Sequence, residues 1–451
     1  MKIDVLVAEI GSTTTVVNAF MLGEHPRFLG QGQAATSVTE GDVRIGLQGA
    51  VDGLERVLGE PVEYGRMFAT SSAAGGLKMT VHGLIYDMTV RAAREAALGA
   101  GGIIKLATAG RLRRSDLETI REQKPNLILL AGGTDYGERD TAVWNAEMIA
   151  RARLGAPVVY AGNVENQREV ALIFKEEGDQ KVYLTENVYP KLDQLNIEPT
   201  RRIIHQVFEE HITGAPGMEH VRDMVTGSII PTPGAVMECA QLLYGDLGDL
   251  IVFDVGGATT DVHSVTEGSE EIGTILVHPE PKAKRTVEGD LGVFVNARNV
   301  VALRGEEALA EELHIDVEQT LASYRAIPKN EDEFKLVTAL TETAARTALE
   351  RHAGHLRYVY TPSGRKTLAE GKDLTQVKWL VATGGALTRL PAREQIMADL
   401  SHINKNGMML FPKAGAARVL FDHDYIMASL GVLSKAYPRE ALALLRASLR
   451  I

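Results

Sequence analysis

The chain has 451 residues, 45% hydrophobic and 24% charged, with a formal net charge of −11 from 48 basic and 59 acidic residues. That length supports two or more buried cores in a soluble globular protein, and the acidic balance excludes nucleic acid as a default partner, because phosphate backbones are bound by basic patches. Cys239 is the only cysteine, which excludes an intrachain disulfide and a cysteine-cluster metal site and fits a reducing cytoplasm. No uncharged apolar run approaches ~20 residues, so no membrane span is expected. The opening MKIDVLVAEI enters a strand pattern at once, without a signal-peptide layout. A cytoplasmic location is the expectation.

Residues 3–10, 13–20 and 27–36 read as three successive strands joined by Gly-bearing turns. Asp42–Leu58 follows with apolar residues at helical spacing. Gly65–Gly76 reads as a strand running into a small-residue turn. The rhythm then changes. Strands at Ile103–Gly110, Asn126–Gly133, Pro157–Asn163 and Lys181–Asn187 alternate with helices at Asp116–Lys124, Ala142–Leu154 and Gln167–Glu177. Such alternation predicts a parallel sheet, here a Rossmann-like layer inserted over about 77–215. A second unit starts near Gly227, with a helix at Pro233–Leu243 and strands at Leu250–Asp254, Thr259–Val265 and Ile272–His278. Helices follow at about Val293–Leu303, Glu306–Glu312, Val317–Arg325 and Glu331–Ala353. A late strand, Val377–Gly385, and an amphipathic helix, Tyr425–Lys435, complete the pattern. The expected domains are 1–225, holding the insertion, and 226–451.

The most informative feature is a repeat. VAEIGSTTTVVNAF (Val7–Phe20) and FDVGGATTDVHSV (Phe253–Val265) each read as an apolar strand ending in an acid, a tight turn and a second strand. In the first, Glu9 ends the strand and Gly11, Ser12, Thr13 and Thr14 form the turn. Glycine lets backbone approach a ligand. Successive N–H groups in such a turn make an anion-binding concavity, although Gly, Ser and Thr are also ordinary turn residues. In the second, Asp254 ends the strand, Gly256, Gly257 and Ala258 turn, and Thr259, Thr260 and Asp261 follow. A carboxylate beside a phosphate is repulsive unless a cation lies between, so Asp254 and Asp261 point to Mg²⁺ held through water; the plain alternative is that Asp261 caps the turn. The third element is ATGGALTRLP (Ala382–Pro391), where Gly384, Gly385 and Ala386 offer bare backbone to a base or ribose. LAGGTD (Leu130–Asp135) is a similar double-Gly end, and a plain βα turn is its simpler reading.

Together these elements resemble the actin-like ATPase superfamily, with phosphate motifs at Glu9–Thr15 and Asp254–Asp261 and an adenosine motif at Thr383–Leu387. Its connecting helices would be Pro233–Leu243 and Tyr425–Lys435, whose small residues permit close crossing. The resemblance implies an actin-like, ribonuclease H-like two-lobe α/β fold that binds ATP or ADP with Mg²⁺. Asp254 and Asp261 would be its catalytic groups, and Glu9, Asp254 and Asp261 its metal-facing acids. SSAAGGLKM (Ser71–Met79), AALGAG (Ala96–Gly101), LLAGGTDYG (Leu129–Gly137) and KRTVEGDLG (Lys284–Gly292) are similar to the glutamate mutase accessory family, called MutL or glutamate mutase L. That family is unrelated to the mismatch-repair protein of the same name. The resemblance implies a chaperone-like ATPase that assembles or reactivates a cobalamin-dependent mutase. The first phosphate motif of the superfamily commonly carries Asp and Lys where this chain has Glu9 and Val16. Its chaperone members place an acid where this chain has Thr232. Slow hydrolysis at most is expected.

A small-molecule kinase of the same superfamily and a non-catalytic actin-like protein are the alternatives. A kinase needs a base for the acceptor hydroxyl, and beyond Asp254 and Asp261 no acidic cluster marks an acceptor pocket. The inserted layer lacks the DxHxxG segment of a base-off cobalamin site. KRTVEGDLG is expected to follow the third strand of the second unit and to shape a nucleotide or partner site; the plain alternative has Asp290 capping the helix near Val293.

Overall fold

The computed structural model describes all residues except 12–13, 38–40, 74–76, 178–179, 213–216, 219, 326, 363 and 404–406, and the backbone alone of 211–212. The chain divides into two compact units. The first comprises Met1–Cys239 with Ala428–Leu444, the second Ala240–Met427 with Leu445–Ile451.

In the first unit, β1 (Lys2–Ile10), β2 (Thr14–Met21), β3 (Arg27–Ala35) and β4 (Glu63–Ser71) come first. Helix Val43–Leu58 lies between β3 and β4, started by the Asp42 carboxylate, which accepts from the Arg44 N–H, and stopped by Gly59 at φ 78°. It seats tightly because β3 offers Gly32, where a Cβ would stand 2.1 Å from the Ala50 carbonyl oxygen. The chain then makes a layer of its own with β5 (Leu77–Gly83), β6 (Gly102–Ala109), β7 (Leu127–Leu130), β8 (Val158–Tyr160) and β9 (Val182–Leu184). It returns to the first sheet through β10 (Ile229–Pro231). The first sheet has the order β10-β4-β1-β2-β3. β1–β2 and β2–β3 are antiparallel, and β1–β4 and β4–β10 parallel. The inserted sheet is parallel throughout, in the order β6-β5-β7-β8-β9. This is one of the doubly wound orders, whose ligands sit at the carboxyl ends of the strands. Its strand β5, between β6 and β7, was not among the expected elements.

The second unit repeats the first sheet. β11 (Leu250–Val255), β12 (Thr260–Val265) and β13 (Ala283–Glu288) form an antiparallel meander. After the hairpin of β14 (His355–Thr361) and β15 (Gly364–Glu370) come β16 (Trp379–Thr383) and β17 (Arg418–Phe421), parallel to β11 and to each other. The order β13-β12-β11-β16-β17 matches strand for strand the order β3-β2-β1-β4-β10. Helices Ala297–Arg304, Glu306–Leu313, Val317–Ser323 and Glu331–His352 follow the expected pattern; the last packs on β11, β12 and β13, and the first and third pack against it.

Two expectations are corrected. The third strand of the second meander is Ala283–Glu288, not Ile272–His278. The earlier segment begins as a short helix, Glu270–Gly273, capped by the Ser269 hydroxyl. Lys284, Arg285 and Glu288 therefore lie on the strand rather than after it. Asp290 does not cap a helix; it pairs with Arg351 at 2.8 Å, and the next helix starts at Ala297. Among the described residues no helix is long and apolar enough to cross a membrane.

Candidate functional site

The two repeated turns are built alike. In the first unit the Gly11 N–H donates to the Thr14 carbonyl at 3.0 Å; in the second the Gly256 N–H donates to the Thr259 carbonyl at 2.9 Å. Glu9 pairs across the strands with Val16, and Asp254 with Asp261. The first turn is braced by the Thr36 hydroxyl, which donates to the Gly11 carbonyl at 2.9 Å and meets the Thr15 hydroxyl at 2.9 Å. A Cβ on Gly11 would stand 2.6 Å from the Thr14 carbonyl oxygen. Glu9 is partly exposed at the end of β1. Ser12 and Thr13 lie outside the described residues.

The second turn is clamped from behind. N–H groups of Val293, Phe294 and Val295 donate to the carbonyls of Gly256 and Gly257 at 2.7–3.2 Å. The Asn296 amide donates to the Ala258 carbonyl at 2.8 Å. Gly292 makes this approach feasible, since its Cβ would stand 2.4 Å from Ala258. The carbonyls of the turn are thus spent, whereas the N–H groups of Gly257, Ala258 and Thr259 meet no acceptor among the described residues. Consecutive N–H groups with their carbonyls turned away form a concavity of positive potential suited to an anion. The rear support of the turn is therefore Val293–Asn296, the stretch directly after KRTVEGDLG, whose Gly292 lets it approach. Glu288 and Asp290 of KRTVEGDLG are both held by Arg351, at 2.5 and 2.8 Å.

The two carboxylates behind this turn differ. Asp261 is buried and bonded: Arg285, itself buried, donates from Nη2 at 2.7 Å and from Nε at 2.9 Å, and the Thr259 hydroxyl donates at 3.2 Å. Asp254 is partly exposed and receives no hydrogen bond among the described residues. Burial pushes its carboxyl up to about 7; Asp261 and Asp422 push the same way, and the Arg285 guanidinium pulls it down.

β16 brings the third motif to the same place, with Thr383 opposite Asp254 in the sheet. Gly384, at φ 84°, is required there, because a Cβ would stand 2.5 Å from the Asp254 Oδ1. Gly385 is exposed with nothing within 4 Å of its Cβ position, and Ala386 is partly exposed in the same turn. The second unit thus assembles Asp254, Gly256, Gly257, Ala258, Thr259, Thr260, Asp261, Gly384, Gly385 and Ala386 around one strand end. Thr260 faces inward, donating from its hydroxyl to the Leu291 carbonyl at 2.7 Å.

Asp422 escaped the sequence reading. It is fully buried after β17 and accepts from the Thr383 hydroxyl at 3.0 Å, the Ser448 hydroxyl at 2.7 Å and the N–H groups of Ile426 and Met427. It anchors the strand that carries Gly384. The signal available was an acid after an apolar strand and just before a helix, the pattern of an N-cap.

No cluster of three or more His, Cys, Asp or Glu able to hold a metal is found among the described residues. A hydrated cation still fits Asp254 by its chemistry: the carboxylate accepts no hydrogen bond among the described residues, and its raised pKa is the cost of a poorly solvated charge that a cation would neutralise. Asp261, already spent on Arg285, fits a positioning role.

The family described as MutL protein matches residues 5–449. The chain is 36% identical over 467 residues to Protein MutL of Clostridium tetanomorphum, covering 98% of each chain. Among solved structures it is similar to a nucleotide-free acetone carboxylase, at 14% identity and TM-score 0.42, over 96% of this chain and 70% of that one. It is also similar to a nucleotide-free diol dehydratase-reactivating factor, at 13% identity and TM-score 0.33, over 99% and 98%.

Proposed function

Because the chain belongs to the MutL protein family, we propose that it is an ATP-binding, chaperone-like factor that assembles or reactivates a cobalamin-dependent mutase of the glutamate mutase kind. The finer fold assignment, two actin-like units with a Rossmann-like insertion, belongs to the same proposal. Its support is the strand order repeated in the two sheets.

The observation that carries the nucleotide reading is the second turn, with the N–H groups of Gly257, Ala258 and Thr259 unspent and its carbonyls bonded away. These donors would hold phosphate oxygens. Gly385 and Ala386 would offer backbone to the adenosine. Gly11, Ser12, Thr13 and Thr14 are the proposed phosphate contacts of the first unit. A Mg²⁺ arriving with the nucleotide would neutralise charge between Asp254 and the phosphates. Asp261 holds Arg285 and keeps that cation from pairing with Asp254. ATP acts in this scheme by binding one state of the factor better than another, and Glu9 and Val16 accord with turnover slow enough for that use.

ATP turnover measured with and without purified glutamate mutase, and then with a panel of hydroxylated metabolites, tests the proposal. Stimulation by the mutase is expected. Stoichiometric phosphorylation of a metabolite would show a kinase instead.

A further inference from the structure

The carboxyl edge of the inserted sheet carries an unusual set of exposed side chains. Ile85 follows β5, Tyr136 follows β7, Val164 follows β8 and Leu192 follows β9, and they are 47%, 78%, 40% and 68% exposed. Because the sheet is parallel, the loops after its strands share one edge. Scattered apolar residues on a surface are ordinary, but several on one edge mark a contact site.

The loops that present them are tied to one another. The Asp135 carboxylate accepts from the Val164 N–H and the Asn187 amide, both at 2.9 Å. The Asn163 Oδ1 accepts from the Tyr136 N–H at 3.2 Å, and the Asn187 amide also donates to the Gly133 carbonyl at 3.0 Å. Tyr136 itself sits at φ 62°. A bulky side chain is seldom found there, and such a conformation persists where the surroundings impose it, often at functional positions. The backbone that presents the ring is thus fixed, and the ring itself stands in solvent.

Beside this apolar row, at the end of β6, is a cavity of about 930 Å³ bordered by Arg111, Arg113, Arg114 and Trp144. Its loop is fixed by Asn145, which is fully buried, accepts from the Leu112 N–H and donates to the Gly110 carbonyl. Arg111 stacks on Trp144 at 5.6 Å. Exposed arginines elsewhere, such as Arg44, Arg139 and Arg298, pair with carboxylates. Arg111, Arg113 and Arg114 pair with none among the described residues. In a chain of net charge −11, three guanidinium groups without a carboxylate partner, in the loop after β6 and at the first residue of the helix Arg114–Gln123, are a local concentration of positive charge.

We propose that this edge is the docking surface for a protein partner whose own surface has an apolar pocket bordered by Asp and Glu. A protruding aromatic such as Tyr136 needs a pocket on the other side, which points to a protein rather than a small molecule held in the cavity. Guanidinium forks match carboxylates bidentately and steer encounter. The inference rests on the mutase-factor reading and specifies the surface by which that partner is met.

The test measures binding of the full chain, with ATP and Mg²⁺, to immobilised glutamate mutase holoenzyme at several salt concentrations. Tyr136→Asn removes the ring while suiting the left-handed backbone, and Arg113→Glu/Arg114→Glu reverses the rim. Each variant is expected to weaken binding at least tenfold with ATP affinity unchanged. The double variant should also lose most of the salt dependence. Both variants binding within twofold of the parent would overturn the surface assignment while leaving the proposed function standing. A parent chain that does not bind the mutase at all would overturn both.

Discussion

Asp254 and Asp261 face each other across β11 and β12, yet their surroundings give them opposite work. Removing Asp261 takes from the buried Arg285 the carboxylate it meets at 2.7 and 2.9 Å. Asp261→Ala is therefore expected to destabilise the protein by about 3–5 kcal/mol, read by denaturant unfolding. Asp254→Asn should do the reverse. Its carboxyl titrates near 7 in the folded state, against an ordinary value of 3.8. For an acid raised in this way the folded state binds more protons than the unfolded one between those values. Stability attributable to it is thus undiminished below about pH 4, falls as pH rises toward 7 and is level above. The melting-temperature advantage of Asp254→Asn should grow through that window, and an advantage independent of pH would contradict the raised pKa. Gly384→Ala should cost about 1–3 kcal/mol from its positive φ alone, and more from the approach to Asp254. It should weaken nucleotide binding together with stability.

At the scale of elements, helix Thr232–Leu247 and helix Met427–Leu433 cross so closely that a Cβ on Gly431 would stand 1.8 Å from the Ala235 carbonyl oxygen. The Asn18 amide also donates to the Ser429 hydroxyl at 2.8 Å. Gly431→Val is expected to lower stability by about 1–3 kcal/mol or more, and an unchanged melting temperature would show that the crossing tolerates a side chain. That these helices carry small residues was legible in the sequence, as were the first meander, most insertion strands and the four helices after β13. The third strand of the second meander was not, because AKRTVE breaks apolar alternation with buried charge. Arg285 is fully buried against Asp261 and Lys284 is held by Glu280. IGTILVH shows more apolar β-branched character but becomes a capped turn. β5 was missed for a related reason: its His82 is fully buried and bonded to the Thr80 and Thr108 hydroxyls, with burial holding it down at about 3. A single sequence shows the residue and not its partner. Within the site, the glycines and Asp254 were readable from the turn pattern. The unequal roles of the two acids and the anchoring by Asp422 depend on packing across β12, β13 and β17, which no local pattern carries.

At the scale of the whole molecule, one sheet plan occurs twice, each copy with its acid, its turn and the same Gly-to-Thr hydrogen bond. The copies have diverged. The second keeps Asp254 beside three unspent N–H donors; the first has Glu9 opposite Val16. An insertion in the first unit supplies an all-parallel sheet that the second unit lacks among its described strands. In the proposed function nucleotide binding does not require fast hydrolysis, and turnover is expected to rise when the mutase is present. The second turn and Asp254 are proposed to hold a magnesium nucleotide. Calorimetric titration of Mg-ATP into the parent chain and into Asp254→Ala at pH 8 tests it most directly. One site in the parent and at least tenfold weaker binding in the variant are expected. Equal affinity in the two proteins, or no binding in the parent, would contradict it.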